Sequence, residues 1–301
     1  MILNRQFLNE IYKKKLKKKT HIDLSNNQLI EISDYTFKDL TNITHIGLSN
    51  NQLKQINKES LNGLTGVLYI GFSDNNLEQI DEQAFKYLSN LTAIDFNSNL
   101  LQQIHKETFK HQVNLRYIDF GNNKLQQVDE DTFNCLPNLT AIGLNDNHLQ
   151  VIETNTFKSL TNLLAINLSN NQLQQLNDDL FKGLISLKQL FLSRNLFQHI
   201  DKKILQGLSN LTHIGLNDNE LNHIDKETFQ GLQNLKYISL SNNHLHQIDK
   251  DTFNGLFNLE YIGLADNELI HIDKEIFKNL KNLKYIGLSG NKLKKINKVN
   301  F

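Results

Sequence analysis

The residues best suited to chemistry in this chain are histidines and one cysteine. His199 and His223 lie 24 residues apart, and His271 follows at twice that interval. A constant interval of this kind can bring two imidazoles close enough to bind a metal ion. The surrounding pattern supplies no carboxylate or thiol to complete such a site. We therefore predict that these histidines are surface residues and that the chain binds no metal.

Cys135 is the single cysteine, and no base occupies a fixed position beside it that could activate its thiol. The sequence also has no glycine-rich phosphate-binding loop, no HExxH motif and no nucleophile elbow. These features predict a protein that is not an enzyme, uses no cofactor and has no small-molecule substrate. Because one cysteine cannot form a disulfide within the chain, an oxidising compartment is not required.

Charge is balanced, with 32 basic and 32 acidic residues. The sequence therefore predicts no general attraction to membranes and no specific nucleic-acid partner. A local exception is a basic run formed by Lys13, Lys14, Lys15, Lys17, Lys18 and Lys19. This run could serve nuclear import or contact an anionic membrane or nucleic acid, or it could only keep one end of the chain solvated. We favour the last interpretation.

The first residues do not have the pattern of a signal peptide, because Arg5, Asn9 and Glu10 interrupt their apolar side chains. An intracellular protein is the expectation, with secretion as the alternative. Secretion would make glycan acceptors of the Asn-X-Ser/Thr sequences at Asn42, Asn90, Asn138, Asn167 and Asn210.

An unbroken repeat organises the whole sequence. One asparagine recurs every 24 residues, at Asn27, Asn51, Asn75, Asn99, Asn123, Asn147, Asn171, Asn195, Asn219, Asn243, Asn267 and Asn291. If Lys19 is position 1 of the first repeat, this asparagine is position 9, positions 4, 6 and 11 are apolar, and position 19 is Phe or Leu. A repeat of this period indicates a solenoid.

The repeat from Leu211 to Asn234 shows how one unit should fold. Residues His213 to Leu216 alternate between outward and inward side chains, which is the period of a strand. Asn219 follows the strand, and its amide can satisfy backbone groups that the turn leaves unpaired. Asp225 then begins a short helical turn. Since one unit cannot bury its own apolar residues, stacked repeats should share a continuous core, with the asparagines forming a structural ladder.

The pattern L-x-x-I-x-L-S-N-N-x-L-x-x-I-x-x-x-x-F-x-x-L-x-N resembles the leucine-rich repeat. Its 24-residue length with Phe at position 19 is similar to the typical class found in Toll-like receptor ectodomains, lamprey variable lymphocyte receptors and small proteoglycans. The resemblance implies an α/β solenoid shaped as a horseshoe or arc, with a concave parallel β-sheet and short helical or irregular segments on the convex side. It also implies that ligands bind to the concave strands.

The chain is divided into two segments. Residues 1–18 break the repeat. Leu3, Phe7 and Ile11 have helical spacing and are joined by Leu8 and Tyr12, which predicts an amphipathic cap helix followed by the basic run. Residues 19–301 contain twelve 24-residue repeats, of which the last is truncated at Phe301.

The candidate binding residues lie mainly at the outward positions 3 and 5 of the predicted strands. Tyrosine recurs at position 3, most densely at Tyr237, Tyr261 and Tyr285, beside a column rich in glycine that should form an open groove. Tyrosine is a common interface anchor, but an in-register ladder also stabilises neighbouring strands, and both interpretations stay open. The predicted concave binding residues are Tyr69, Tyr117, Phe191, Arg194, His213, Tyr237, Tyr261 and Tyr285.

These features predict a non-catalytic module that binds a protein partner. One alternative is an extracellular structural, adhesive or receptor-like surface protein, which secretion and glycans would favour. Another is the recognition half of an enzyme such as a ubiquitin ligase effector, although the cap and the repeats occupy all 301 residues.

Overall fold

The computed structural model describes residues 1–294 and contains two compact units. Unit 1 comprises Met1–His148 with Asn155–Leu160, and unit 2 comprises Leu149–Thr154 with the chain from Thr161 onwards. In each unit a short strand and a turn segment alternate with the 24-residue period of the sequence. The predicted solenoid of parallel strands is thus confirmed in both units.

The main strands are three residues long. In unit 1 they are His21–Asp23, His45–Gly47, Tyr69–Gly71, Ala93–Asp95, Tyr117–Asp119 and Ala141–Gly143. In unit 2 they are Ala165–Asn167, Gln189–Phe191, His213–Gly215, Tyr237–Ser239, Tyr261–Gly263 and Tyr285–Gly287. Neighbouring strands within a unit are parallel and in register, so the same position of successive repeats forms a column across the sheet.

The segments between the main strands are mostly turns, which agrees with the short helical or irregular segments that the sequence predicts. Lys202–Leu205 forms a short 3-10 helix. Position 19 directs phenylalanine into the core, where Phe85 stacks on Phe109 with ring centroids 5.6 Å apart. Phe109 also meets Phe120, from position 6 of the next repeat, edge-on at 5.9 Å. Aromatic packing therefore connects the turn segments to the strands.

The position-9 asparagines connect each repeat to its neighbour. Asn99 lies 5% exposed, and its Nδ2 donates to the carbonyl oxygens of Phe96 (3.0 Å) and Asn97 (3.3 Å) in its own repeat. The same nitrogen donates to the carbonyl of Phe72 in the preceding repeat (3.0 Å), and Oδ1 accepts from the backbone N–H of Leu77 (2.9 Å). One amide therefore satisfies buried backbone groups of two repeats at once.

A second column of asparagines at position 24 makes a smaller contribution that the sequence analysis did not assign. These side chains are exposed, and each donates one hydrogen bond to a backbone carbonyl 25 residues earlier. Asn114 Nδ2, for example, donates to the carbonyl oxygen of Ser89 at 2.9 Å. The members with this bond are Asn42, Asn90, Asn114, Asn138, Asn210, Asn234, Asn258 and Asn282.

Position 8 of the repeat has left-handed backbone geometry. Its φ angle is between 51° and 61° at Asn26, Asn50, Asp74, Ser98, Asn122, Asp146, Asn170, Arg194, Asp218, Asn242 and Asp266. Asparagine and aspartate tolerate this conformation better than other residues that carry a Cβ, and they occupy nine of these eleven positions. The asparagine-rich pattern before position 9 is therefore a backbone requirement, and Ser98 and Arg194 are its two exceptions.

The N-terminal segment packs on the first repeat. Ile2–Leu3 pairs in parallel with Glu31–Ile32, and the α-helix Arg5–Tyr12 follows, capped by Asn4. A 3-10 helix then spans Lys13–Lys18. Of the residues predicted to form the apolar face, Leu3 and Leu8 are buried, Phe7 and Tyr12 are half-buried, and Ile11 is 48% exposed. The predicted truncation of the last repeat lies outside the described residues.

Replacing Asn99 by alanine should lower the free energy of unfolding by about 1–3 kcal/mol, because buried carbonyls and a buried N–H lose their partner. Asn114→Ala is the matched control, since it removes one exposed hydrogen bond in the same unit. It should cost less than about 1 kcal/mol. Denaturant melts of both variants measure the difference, and equal midpoints would contradict the role of the buried column.

Candidate binding surface on the sheet face

The alternation of side chains along each strand creates one exposed face, which we call the sheet face. In the strand Tyr237–Ser239 the central Ile238 is fully buried, Tyr237 is half-buried and Ser239 is 6% exposed. The strand period places positions 3 and 5 on the side of the strand opposite to position 4, so these two positions line the sheet face.

A continuous row of aromatic rings lies on the sheet face of unit 2. His213 stacks on Tyr237 with centroids 5.8 Å apart, Tyr237 on Tyr261 at 4.3 Å, and Tyr261 on Tyr285 at 4.8 Å. The two tyrosine pairs are within 10° of parallel. Burial and the neighbouring Tyr237 raise the pKa of the Tyr261 hydroxyl. The end ring, Tyr285, is the most exposed of the tyrosines at 53%.

The glycines beside this row do not form the open groove that the sequence predicts. A Cβ at Gly263 would lie 3.2 Å from Cε1 of Tyr261, and one at Gly287 would lie 3.3 Å from Cε1 of Tyr285. Each of these rings therefore lies over the glycine of its own strand. Glycine at position 5 allows tyrosine at position 3 to lean across the strand, which widens the aromatic surface instead of opening a cleft.

Phe191 and Arg194 lie close to the N-terminal end of this row. Phe191 is half-buried and pairs in register with Gly215, whose missing side chain leaves room for the ring. The Arg194 side chain is 67% exposed, and its Nε lies 3.9 Å from a carboxylate oxygen of Asp218. The structure thus brings Phe191, Arg194, His213, Tyr237, Tyr261 and Tyr285 onto unit 2.

Charged residues beside the tyrosine row pair with one another. Glu260 accepts a hydrogen bond from Lys284 at 2.5 Å, and Lys236 lies 3.9 Å from the same carboxylate. The hydrogen bond and charge of Lys284, with a smaller contribution from Lys236, hold the pKa of Glu260 below its usual range. This flank of the row therefore carries a local ion-pair network.

The sheet face of unit 1 differs because it combines tyrosines with carboxylates. Tyr117 donates from its hydroxyl to a carboxylate oxygen of Asp119 at 3.0 Å. Burial, followed by the charge of Asp119, raises the pKa of Tyr117. Tyr69 belongs to a separate row, in which His21 stacks on His45 at 4.4 Å and His45 meets Tyr69 at 6.2 Å. Tyr69 and Tyr117 are therefore not part of the unit 2 row.

Two aspartates at position 5 have pKa values shifted in opposite directions. Burial raises the pKa of Asp95, with smaller contributions from the charges of Asp119 and Asp74. Hydrogen bonds from Ser25 lower the pKa of Asp23. Both side chains accept the backbone N–H two residues later, at 2.8 Å for Asp95 and 3.0 Å for Asp23. Only the environment of the carboxylate therefore distinguishes them.

Replacing Asp95 by asparagine should stabilise the protein at pH 7 by a few tenths of a kcal/mol. A raised folded-state pKa means that ionisation of Asp95 opposes folding, so the wild-type protein loses stability as pH rises above the usual aspartate range. The stabilisation of the Asp95→Asn variant relative to wild type should therefore vanish near pH 3. Asp23→Asn should show the opposite sign at pH 7, because a lowered pKa adds stability above the usual range. Urea melts at both pH values test this, and a loss of stability in Asp95→Asn at pH 7 would contradict it.

One carboxylate, which was not predicted from the sequence, lies beside both His199 and His223. His199 and His223 stack with ring centroids 4.7 Å apart. Asp225 places one oxygen 3.7 Å from Nε2 of His199 and the other 3.9 Å from Nε2 of His223. Position 15 comes two residues after position 13 and faces the same flank, a proximity that the repeat numbering could have shown. His271 is not part of this cluster.

The described residues contain no helix long and apolar enough to cross a membrane. A search of the curated proteins found no match. Two family models do match the sequence. One, described as BspA type leucine rich repeat region (6 copies), matches residues 8–140 and 78–212, and the other, described as leucine rich repeat, matches residues 209–269 and 257–301.

Solved structures share the fold at low identity. Drosophila Toll in its complex with Spatzle has a TM-score of 0.75 and 23% identity, over 96% of this chain and 46% of that chain. TLR13 in its complex with ssRNA13 has a TM-score of 0.60 and 24% identity, over 96% and 52%. An internalin, InlF, from Listeria monocytogenes has a TM-score of 0.73 and 18% identity, over 97% and 89%. The chain thus spans about half the length of the Toll and TLR13 chains.

Proposed function

The chain belongs to the leucine-rich repeat family, and on that premise we propose that it is a non-catalytic module that binds a protein partner on the sheet face of unit 2. The observation that carries this proposal is the row of stacked rings formed by His213, Tyr237, Tyr261 and Tyr285. Three of these four residues are tyrosines, a residue type enriched at interface hot spots.

Stacking prepares these rings for binding. Each ring packs against the next at 4.3–5.8 Å, so its side-chain torsions are already restricted before a partner arrives. Binding then costs less conformational entropy than it would for mobile side chains. Tyrosine rings offer a partner both apolar area and a hydroxyl group for hydrogen bonding, and Tyr285 is 53% exposed.

Phe191 and Arg194 extend the proposed surface at its N-terminal margin. Arg194 occupies position 8 with φ of 55°, where nine of the eleven residues with this geometry are Asn or Asp. A non-glycine residue that lacks their tolerance for this region is strained, by an amount of order 1 kcal/mol. An arginine at this position, largely exposed and close to the half-buried Phe191, supports a role in recognition.

The charge pattern favours a partner recognised by aromatic contact rather than by net charge. Lys236, Glu260 and Lys284 form an internal ion-pair network beside the row. Exposed ion pairs of this kind add little affinity but can discriminate between partners and orient them. Neighbours of the same fold have macromolecular partners, since Toll is seen with Spatzle and TLR13 with ssRNA13.

We keep an intracellular location as part of the proposal, with an extracellular adhesive or receptor-like protein as the second candidate. The resemblance to Toll and to internalin supports the second candidate. Expression in a secretory host would show which Asn-X-Ser/Thr sites accept glycans, but it would not show where the native protein resides. The deciding measurement is therefore immunodetection in native cells and their medium. Protein found in the medium or at the cell surface would replace the first candidate by the second.

The triple variant Tyr237→Ala, Tyr261→Ala, Tyr285→Ala should bind its partner at least tenfold more weakly, because each hot-spot tyrosine contributes about 1–2 kcal/mol. The partner is first captured from cells on the immobilised wild-type chain and identified by mass spectrometry. It is then purified and titrated against each variant by calorimetry. Circular dichroism and thermal melts establish that the triple variant is folded.

Tyr35→Ala with Tyr87→Ala is the matched control, because both tyrosines are exposed and lie in turn segments away from the sheet face. This double variant should retain wild-type affinity. Full affinity in a folded triple variant would refute the proposed surface and leave the stacked rings with a structural role only.

A further inference from the structure

The cluster of His199, His223 and Asp225 has the composition of a metal site. Among residues 1–294, it is the one group of three or more His, Cys, Asp or Glu side chains whose ligand atoms all lie within 4.8 Å of one another. His199 is half-buried, and the other two residues are exposed, so the group is open to solvent on the flank of unit 2. Two imidazoles and one carboxylate are a common three-ligand set for zinc.

Asp225 departs from the behaviour of its column. Asp201 and Asp249, the position-15 residues of the adjacent repeats, each accept the backbone N–H two residues later, at 2.8 Å and 2.9 Å. Asp225 forms no such bond to Glu227. Its carboxylate instead directs its two oxygens to two imidazole nitrogens. The hydrogen bond from position 17 to the position-15 carboxylate is thus absent in this repeat and present in the two adjacent repeats.

On both imidazole rings, Nε2 is the nitrogen that can bind a metal ion. Nδ1 of His199 is buried without a hydrogen-bond partner, and Nε2 lies 3.7 Å from a carboxylate oxygen of Asp225. Nδ1 of His223 lies 2.5 Å from Oδ1 of Asn222, an oxygen that can only accept. In the neutral ring Nδ1 therefore donates, and the lone pair is left on Nε2. A hydrogen bond of this kind orients many metal-binding histidines and fixes their tautomer.

From this geometry we propose that Nε2 of His199, Nε2 of His223 and the carboxylate of Asp225 bind one divalent transition-metal ion of the zinc class. A tetrahedral zinc ion sets its ligand atoms about 3.3 Å apart. The separations of 3.7 Å and 3.9 Å to the two oxygens of Asp225 exceed that value, and the stacked rings must turn so that their Nε2 lone pairs converge on one ion. The proposal replaces the expectation of no metal, which rested on the lack of a carboxylate beside the histidines.

Among residues 1–294, no lysine forms an ion pair with the carboxylate of Asp225. The nearby Lys202 is hydrogen-bonded to Glu227. In the described part of the chain, the basic side chains that lie within 4.0 Å of the Asp225 carboxylate are the two histidines. A second histidine–carboxylate group in unit 2 differs on this point. There, Glu268 lies 3.5 Å from His244 and 3.6 Å from His246, but Lys292 already donates to it at 2.6 Å. That group is a natural control.

The bound ion would connect two consecutive repeats. His199 belongs to one repeat, and His223 and Asp225 belong to the next. Three protein ligands leave the fourth tetrahedral position for water or for a carboxylate or imidazole of another molecule. The site lies at positions 13 and 15, which are not the positions that line the sheet face. The metal site and the proposed binding surface can therefore succeed or fail independently.

Zinc titration of the chelator-treated chain tests the proposal. Calorimetry should show one saturable site per chain, and zinc should raise the thermal midpoint because it binds the folded state. H199Q, H223Q and D225N should each weaken zinc binding at least tenfold, since even the loss of an outer hydrogen-bond partner of a metal ligand costs that much. Gln175 and Gln247 occupy position 13 in the repeats on either side, so the two glutamine variants should fold.

The matched control is H244Q with H246Q, which also removes two exposed histidines from unit 2. It should keep wild-type zinc affinity and the wild-type rise in thermal midpoint. Magnesium should produce neither effect, because it prefers oxygen ligands. Absence of zinc binding in the wild-type chain, or unchanged binding in the H199Q/H223Q variant, would overturn the assignment.

Discussion

The hydrogen bonds of the position-9 asparagines are the constraint on which the rest of the structure depends. A chain that turns sharply after each three-residue strand leaves backbone N–H and carbonyl groups inside the protein, where they cannot reach water. The amide of Asn99 satisfies such groups in two consecutive repeats. Because donor and acceptor belong to one rigid amide, a single side chain bonds to both repeats.

This constraint sets the geometry of the core, of the sheet face and of the flank that carries position 13. Once successive repeats are held in register, every position becomes a column, and residues at the same position of adjacent repeats lie side by side. Apolar columns become the core, in which Phe85 and Phe109 stack. Tyrosine in an outward column becomes the stacked row of the sheet face, and histidine at position 13 brings His199 onto His223. A substitution at one position therefore acts on its neighbours in the column as much as on its own repeat.

The sequence predicted the features that the period alone determines. The strands, the inward Ile238 and the buried column that includes Asn99 follow from alternation and from a constant spacing. What it did not predict depends on side-chain direction in three dimensions. Tyr261 leans over Gly263 and fills the expected groove. Asp225 turns away from its own backbone towards two imidazoles. The left-handed geometry at position 8 was present in the sequence as a preference for Asn and Asp, although it was interpreted only as part of a consensus.

The double attachment of each position-9 asparagine also limits how such a gene can change. A single inserted or deleted residue would shift one amide away from partners in two repeats at once, and would misplace every column that follows. Gain or loss of an entire 24-residue module keeps all the columns aligned, which matches the uninterrupted spacing of the asparagines. Evolution of this chain's length is therefore expected to proceed in whole repeats, by duplication and deletion, while its surface diversifies by point substitution.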